Sequence, residues 1–330
     1  MGHVVRCLAL AEELRDNYSC NISFAMRKSE LGINKVKIDY PVLISNENDR
    51  NFVYENWLLD CIGKTKSKVL VLDVRDGLGR ESIKRIKDKT GIKIVTIDDS
   101  EDKRLEADLA FYPPVPQVKR MNWAGFNGKL YSGWEWVILR REFSEWKKKQ
   151  NKESSDIQIP KILITAGGSD PMGLTLEIVR ALNMLKMDFM TLIVLGPGFS
   201  YYSELNSLLT KASYPHKIFK NLSSMTTVMS QANLAIATFG MTAYELTVMG
   251  VPVIYISLTD DHAESASFFM DAGIAISLGV FINVTNQKLA GAVKYLIDDE
   301  EKRLQMSDKS KNVIDGFGYH LVAQKILDKS

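Results

Sequence analysis

One stretch constrains this chain more than any other: residues 235–264, AIATFGMTAYELTVMGVPVIYISLTDDHAE. Leu234 to Ala237 is short, apolar and strand-like, and Thr238, Phe239 and Gly240 make a turn. Met241 to Met249 predicts a helix of about two turns, stopped by Gly250 and Pro252 as a helix C-terminus should be. Val253 to Ile256 predicts a second buried strand, with Asp260, Asp261 and His262 at its carboxyl edge. A strand, a glycine turn, a helix and a second apolar strand read as a βαβ unit, which argues a parallel α/β sheet.

Such a turn can carry chemistry. The first amides of the Met241 helix have no helical partner and its dipole end is positive. An anion such as a pyrophosphate can dock there without a lysine. Glu245, one turn in, can reach the hydroxyls of an attached ribose. An ordinary βαβ unit with a surface glutamate has the same sequence, so on geometry alone both readings stand.

At 330 residues the chain has room for two domains. A net charge of +2 gives no argument for nucleic acid, and no apolar run approaches the ~20 residues of a membrane span. Cys7, Cys20 and Cys61 have no metal spacing and cannot all pair, which points to a reducing, cytoplasmic setting. Met1-Gly2-His3 runs straight into an amphipathic helix, Val4 to Leu14. An α/β domain normally places a strand ahead of such a turn, so the first strand is expected to be missing from this chain.

The pattern then alternates. Strands are expected at 21–26, 68–73 (KVLVLD), 93–97 and 108–112, with helices at 51–61 and 79–89. Residues 147–157 are charged and without apolar period, a linker by composition. The second half restarts with KILIT at 161–165, a turn at Gly167-Gly168-Ser169, Asp170 as a cap or near-cap with Pro171 as a first helical residue, and a helix over 174–185. A further strand is expected at 191–195, a short one at 217–219, and helices at 225–231, 287–297, 300–309 and 312–327.

Candidate chemical residues each have a plain alternative. His3 in a glycine turn can serve as a general base, imidazole having a reference pKa of ~6.5, or it can be a solvent-exposed histidine. His262 after two aspartates can be oriented by them, or the acidic pair can simply solvate the loop. His216 and His320 have no chemical neighbours in sequence. The pairs Asp98-Asp99 and Asp260-Asp261 suggest a metal, but adjacent carboxylates diverge and no third ligand lies at metal spacing. Gly167-Gly168-Ser169 is a phosphate-loop candidate of a common type. The chain has no GxxxxGK[ST], GxGxxG or GxSxG motif.

Six motifs nevertheless follow in one order: GHxxRCLxLA from Gly2, LVLD ending at Asp73, IDD at 97–99, ILRREF at 138–143, TAGGSDP at 165–171 and GMTAYELxxxGVP at 240–252. Together they resemble the UDP-sugar hydrolase of pseudaminic acid biosynthesis. That enzyme's wider kin is the GT-B glycosyltransferase group, which includes the lipid II-forming N-acetylglucosamine transferase. The resemblance implies an α/β fold of two Rossmann-like domains facing across a cleft. It implies an N-terminal domain at 1–146, the linker at 147–158, a nucleotide-sugar domain at 159–311 and a helix at 312–330 returning to the first domain. It implies that His3 activates water against the anomeric carbon. Gly240, Met241 and Thr242 would hold the pyrophosphate and Glu245 the ribose. Met225 would lie on the uracil side, with Gly167 and Gly168 lining the cleft. Asp73, Arg75, Asp99, Arg140, Asp261 and His262 would face the sugar. Two departures from the family pattern, Val74-Arg75-Asp76 and Asp260-Asp261-His262, suggest a different sugar. No metal and no cofactor is implied. The expected partner is a UDP-sugar, with no nucleic acid, no stable membrane insertion, and a monomer or weak dimer. A glycosyltransferase, or a nucleotide-sugar-binding module without activity, is the rival reading.

Overall fold

The computed structural model describes residues 2–48, 52–75, 77–149, 159–220, 222 and 224–328. The chain divides into two compact units, Met1–Arg140 with Phe317–Ser330, and Arg141–Gly316.

The first unit opens with α1 (Gly2–Tyr18), β1 (Phe24–Met26), α2 (Glu30–Val36), β2 (Val42–Ile44) and α3 (Tyr54–Thr65). It continues with β3 (Val69–Leu72), α4 (Arg80–Thr90), β4 (Lys93–Ile97), β5 (Leu109–Tyr112) and β6 (Lys129–Ser132). β1 and β2 pair in parallel, and β3-β4-β5-β6 form a parallel sheet in sequence order. α1 serves both sheets. Leu8 and Ala11 pack with Phe24, Met26 and Val42, while Ala9, Leu10 and Leu14 pack with Val95, Ile97 and Phe111. Two packing partners explain why its apolar residues spread beyond one narrow stripe. On another side, α3 and α4 bury Leu58, Ile62, Ile83 and Ile86 against Leu72 and Ile94.

The second unit runs α5 (Arg141–Lys149), β7 (Lys161–Thr165), α6 (Leu174–Leu182), β8 (Met190–Leu195), α7 (Tyr202–Leu209), β9 (His216–Lys220) and α8 (Thr226–Met229). It goes on through β10 (Leu234–Thr238), α9 (Met241–Val248), β11 (Val253–Ser257), α10 (Asp260–Asp271), β12 (Ala275–Val280), α11 (Asn286–Asp298) and α12 (Glu300–Val313). Its six parallel strands lie in the order β12-β11-β10-β7-β8-β9. The central strands are buried along nearly their whole length, which is why they read as unbroken apolar runs rather than alternating ones. The chain winds outward from β7 through β8 to β9, then restarts beside β7 at β10. The strand order therefore reverses between β7 and β10, where open α/β sheets leave a crevice at the carboxyl ends.

Several elements differ from the expectation. The helices expected over 300–309 and 312–327 are both present but divide elsewhere: α12 runs on to Val313, and α13 (Gly318–Leu327) begins only after Gly316, at φ +84°. α13 belongs to the first unit: Tyr319, Val322, Ala323 and Ile326 pack with Ala9, Leu10 and Leu14 of α1, and His320 Nδ1 lies 2.7 Å from Glu13 Oε1. α6 starts at Leu174 as expected, but Pro171 lies ahead of it rather than in its first turn, and both carboxyl oxygens of Asp170 accept from Leu174 N and Thr175 N, at 2.7 and 2.9 Å. Of the expected linker, 150–158 lies outside the described residues. Lys147 belongs to α5, and its ammonium donates to the carbonyls of Lys311 and Ile314, at 2.8 and 2.6 Å, at the end of α12. Among the described residues no helix is long and apolar enough to cross a membrane.

Candidate functional site

Two groups of expected residues come together, one in each unit. In the first unit, His3 lies in the first turn of α1, not in a turn ahead of it. Its ring is 47% exposed, and Nδ1 donates to Asp73 Oδ1 at 2.6 Å. Asp73 stands just past β3, and its side chain is 1% exposed. It was expected to face a sugar. Instead its oxygens accept from His3, from Arg6 Nε (2.8 Å) and Nη2 (2.5 Å), and from the thiol of Cys7 (3.5 Å). Burial alone would raise the Asp73 carboxyl, but the hydrogen bonds and charge of Arg6, then of His3, outweigh it and hold it below its ordinary value. Burial, then the charge of Asp73, pushes the Cys7 thiol well up, so it stays an S–H donor.

The other aspartate expected at this edge was Asp99. The structure puts Asp98 there instead: Asp98 takes the left-handed conformation at φ +52° and accepts from Arg6 Nη1 at 3.2 Å. Asp99 consequently points inward. Its side chain is 1% exposed, Oδ1 accepts from Glu101 N at 2.8 Å, and Oδ2 lies 3.6 Å from the buried Lys103 ammonium. Burial pushes its carboxyl up to about 6, against the lowering from the Glu101 amide and the Lys103 charge. Arg75 is exposed on the loop after β3, Asp76 lies outside the described residues, and Arg140 is half-buried at the end of the unit.

In the second unit the site gathers at the reversal between β7 and β10. These strands pair through Ala237 and Thr165, which brings their carboxyl ends side by side. Gly167 follows β7 at φ +81°, and a Cβ there would lie 3.8 Å from Thr238 Oγ1 at the end of β10. The Gly167-Gly168 loop is backed by Gly198, whose amide donates to Gly168 O at 2.9 Å. Gly196 also supports it: a Cβ there would overlap Gly168 O and come within 2.6 Å of Gly167 O. Nothing in the sequence singles out Gly196 for this role, because a sequence does not say which loop a glycine lies against.

Gly240 precedes α9, whose first turn carries no charged side chain and leaves the Met241 and Thr242 amides without helical partners. A Cβ on Gly240 or Gly168 would meet no atom within 4 Å. Gly240 itself is extended, so neither crowding nor backbone conformation demands glycine there. Phe239 anchors the turn among Tyr244, Tyr255 and Phe269, with ring centroids 5.2–6.2 Å away. Glu245 is buried on α9. Asp260, Asp261 and His262 were expected on a loop. They form the first turn of α10, where Thr259 Oγ1 accepts from His262 N and two carboxylates suit a helix N-terminus. The His262 ring lies 6.2 Å from Phe239, beside the Gly240 turn, and Asp261 is exposed. Met225 stands at the start of α8, which packs on α5, as does α9. Glu142 of α5 accepts from Ser224 and, at 3.4 Å, from Thr226, fixing the start of α8. Among the described residues no group of three or more His, Cys, Asp or Glu is placed to hold a metal ion.

Residues 162–317 match the model of the glycosyltransferase family 28 C-terminal domain. An uncharacterized protein of Methanocaldococcus jannaschii, MJ1062, is 32% identical over 77% of this chain, which spans about half (52%) of that protein's length. The spore coat polysaccharide biosynthesis protein SpsG of Bacillus subtilis is 25% identical over 99% of this chain and 94% of its own. The UDP-2,4-diacetamido-2,4,6-trideoxy-beta-L-altropyranose hydrolase of Campylobacter jejuni is 30% identical over 56% of this chain and 62% of its own. Among solved structures, MurG of Acinetobacter baumannii superposes with a TM-score of 0.75 at 16% identity, covering 98% of this chain and 96% of its own. The UDP-GlcNAc 2-epimerase of Neisseria meningitidis does so at 0.67 and 12%, covering 99% and 97%. The fold is thus α/β of the GT-B type, with two Rossmann-like units.

Proposed function

We propose that this chain hydrolyses a UDP-linked amino sugar at the anomeric C–O bond, releasing UDP, in the synthesis of a surface polysaccharide or nonulosonic acid. The observation that carries the reading is the half-exposed imidazole of His3 held through Nδ1 by a buried carboxylate. That arrangement leaves Nε2 to take a proton from water, the ordinary task of a general base. The relatives named for polysaccharide synthesis and for UDP-sugar hydrolysis support the substrate class.

In this reading the second unit holds the nucleotide. The amides of Met241 and Thr242 at the Gly240 turn take the pyrophosphate, so UDP leaves onto a positive helix end. Glu245 takes the ribose hydroxyls, Gly167 and Gly168 admit the diphosphate closely, and Met225 lies toward the uracil. The first unit supplies the base. Arg75, Arg140, Asp261 and His262 are the proposed sugar contacts, whereas Asp73 acts through His3. The match to a glycosyltransferase domain over 162–317 favours a second reading, transfer of the sugar to an acceptor.

A panel of UDP-sugars separates the readings. UDP release by the protein alone is expected. Release only with an added acceptor means a transferase, and a new epimer still attached to UDP means an epimerase. Binding without turnover of any panel member would remove the enzymatic reading.

A further inference from the structure

Arg6 is one turn along α1 from His3 and only 6% exposed. Its Nε and Nη2 donate to the two oxygens of Asp73, and its Nη1 donates to Asp98 Oδ2. Nη2 also lies 3.4 Å from His3 Nδ1, so guanidinium and imidazole meet at the same oxygen, Asp73 Oδ1. This fixes the tautomer. An ionised carboxylate only accepts, so at 2.6 Å Nδ1 must carry the proton given to Asp73, while Nη2 donates to that same oxygen at 2.5 Å rather than to Nδ1. In the neutral ring the lone pair is then on Nε2.

The same contacts set the charge around the ring. Among the described residues, the titratable groups bonded within the cluster besides His3 are Asp73 from the end of β3, Asp98 from the end of β4, and Arg6 and Cys7 from α1. Cys7 is a neutral thiol. Two carboxylates therefore stand against one guanidinium. Without Arg6, a protonated His3 would be drawn by two uncompensated negative charges and would hold its proton more tightly. The larger the protonated share of His3, the smaller the share that can accept a proton from water.

We propose that Arg6, braced by Asp98, is a positioning residue that fixes the Asp73 carboxylate on His3 Nδ1 and offsets its charge, keeping Nε2 of His3 free to act as a base. The inference rests on the role given to His3 above, but its test does not need turnover. The chain has only four histidines, so His3 can be followed by NMR titration in the full chain and assigned with His3→Gln. In Arg6→Gln the His3 midpoint is expected to rise by about one pH unit, the scale for removing a neighbouring charge. Arg6→Lys keeps the charge and should leave the midpoint near the parent's, while the Nδ1 proton signal changes because the bidentate fork is lost. Asp98→Asn removes a negative charge and should move the midpoint down. A purely structural role would not produce opposite shifts. An unmoved midpoint in folded Arg6→Gln, or an upward shift in Asp98→Asn, overturns the proposal. Arg6→Gln leaves Asp73 buried without its main counter-charge; should it fail to fold, the sign of the Asp98→Asn shift decides. If the shifts appear but no UDP-sugar is turned over, the functional reading has failed and the role of Arg6 stands.

Discussion

His3 and Asp99 show how one sheet edge assigns opposite duties to its polar groups. His3 is half-exposed and its partner Asp73 buried, so His3→Ala removes the proposed base and leaves the support beneath it largely in place. Turnover of the responsive UDP-sugar should fall by roughly 100-fold or more, the usual scale for a general base, with UDP affinity nearly unchanged. Wild-type turnover in the variant, or a matching loss of UDP binding, would show that His3 has another role. Asp99 is the reverse case. Its carboxyl is pushed up to about 6 by burial, from a reference of 3.8. The native state therefore binds more protons than the unfolded state between about pH 4 and pH 6, and the contribution of Asp99 to stability falls as pH rises through that window. At about 1.4 kcal/mol per unit the loss approaches roughly 3 kcal/mol by pH 7. Asp99→Asn should accordingly gain stability relative to the parent as pH is raised from 4 to 7, by urea unfolding at each pH. A gap that does not change with pH would mean that Asp99 is not held protonated.

At the scale of elements, two glycines separate what the ligand needs from what the fold needs. Gly240 is extended and nothing lies within 4 Å of an added Cβ. Gly240→Ala should leave stability within about 0.5 kcal/mol but weaken UDP by tenfold or more, because the new methyl group occupies the approach to the Met241 and Thr242 amides. Gly196→Ala presses on the carbonyls of Gly167 and Gly168, so it should lower both the melting temperature and UDP affinity. Calorimetry of both variants checks the contrast, and a Gly240→Ala protein that binds UDP like the parent would remove the proposed site from that turn. β10, α9 and β11 were legible in the sequence because their signals are local: apolar runs, a glycine turn, and Gly250 with Pro252 at the helix end. α10 was not, since only Ser265, Ala266 and Phe269 are buried and its polar first turn imitates a loop. The choice between Asp98 and Asp99 was equally hidden. It depends on one left-handed residue, which periodicity cannot register. The burial of Asp73 follows from α1 lying over the end of β3, a contact between residues 67 apart in the chain.

In the whole molecule, the sheet order of the second unit puts the Gly167 and Gly240 loops at the reversal between β7 and β10, and the first unit holds a histidine on a buried carboxylate. In the proposed hydrolysis each arrangement would serve a different part of the reaction. A helix end that takes a pyrophosphate stabilises UDP as a leaving group, which favours attack at the anomeric carbon. Attack at phosphorus would need a clamp on the transferring group itself, of the kind that arginines or metal ions provide. An imidazole that accepts a proton from water provides the nucleophile for attack at carbon. Hydrolysis in oxygen-18 water is therefore expected to place the heavy oxygen on the sugar and none on UDP. Mass spectrometry of UDP decides, because its phosphate oxygens are stable in water whereas ring opening can exchange the anomeric oxygen of the free sugar. Unlabelled UDP from a reaction run to completion supports C–O cleavage. Label in UDP, or in a sugar phosphate beside UMP, would mean that water attacks phosphorus, and the roles given to His3 and to the α9 terminus would both have to be withdrawn.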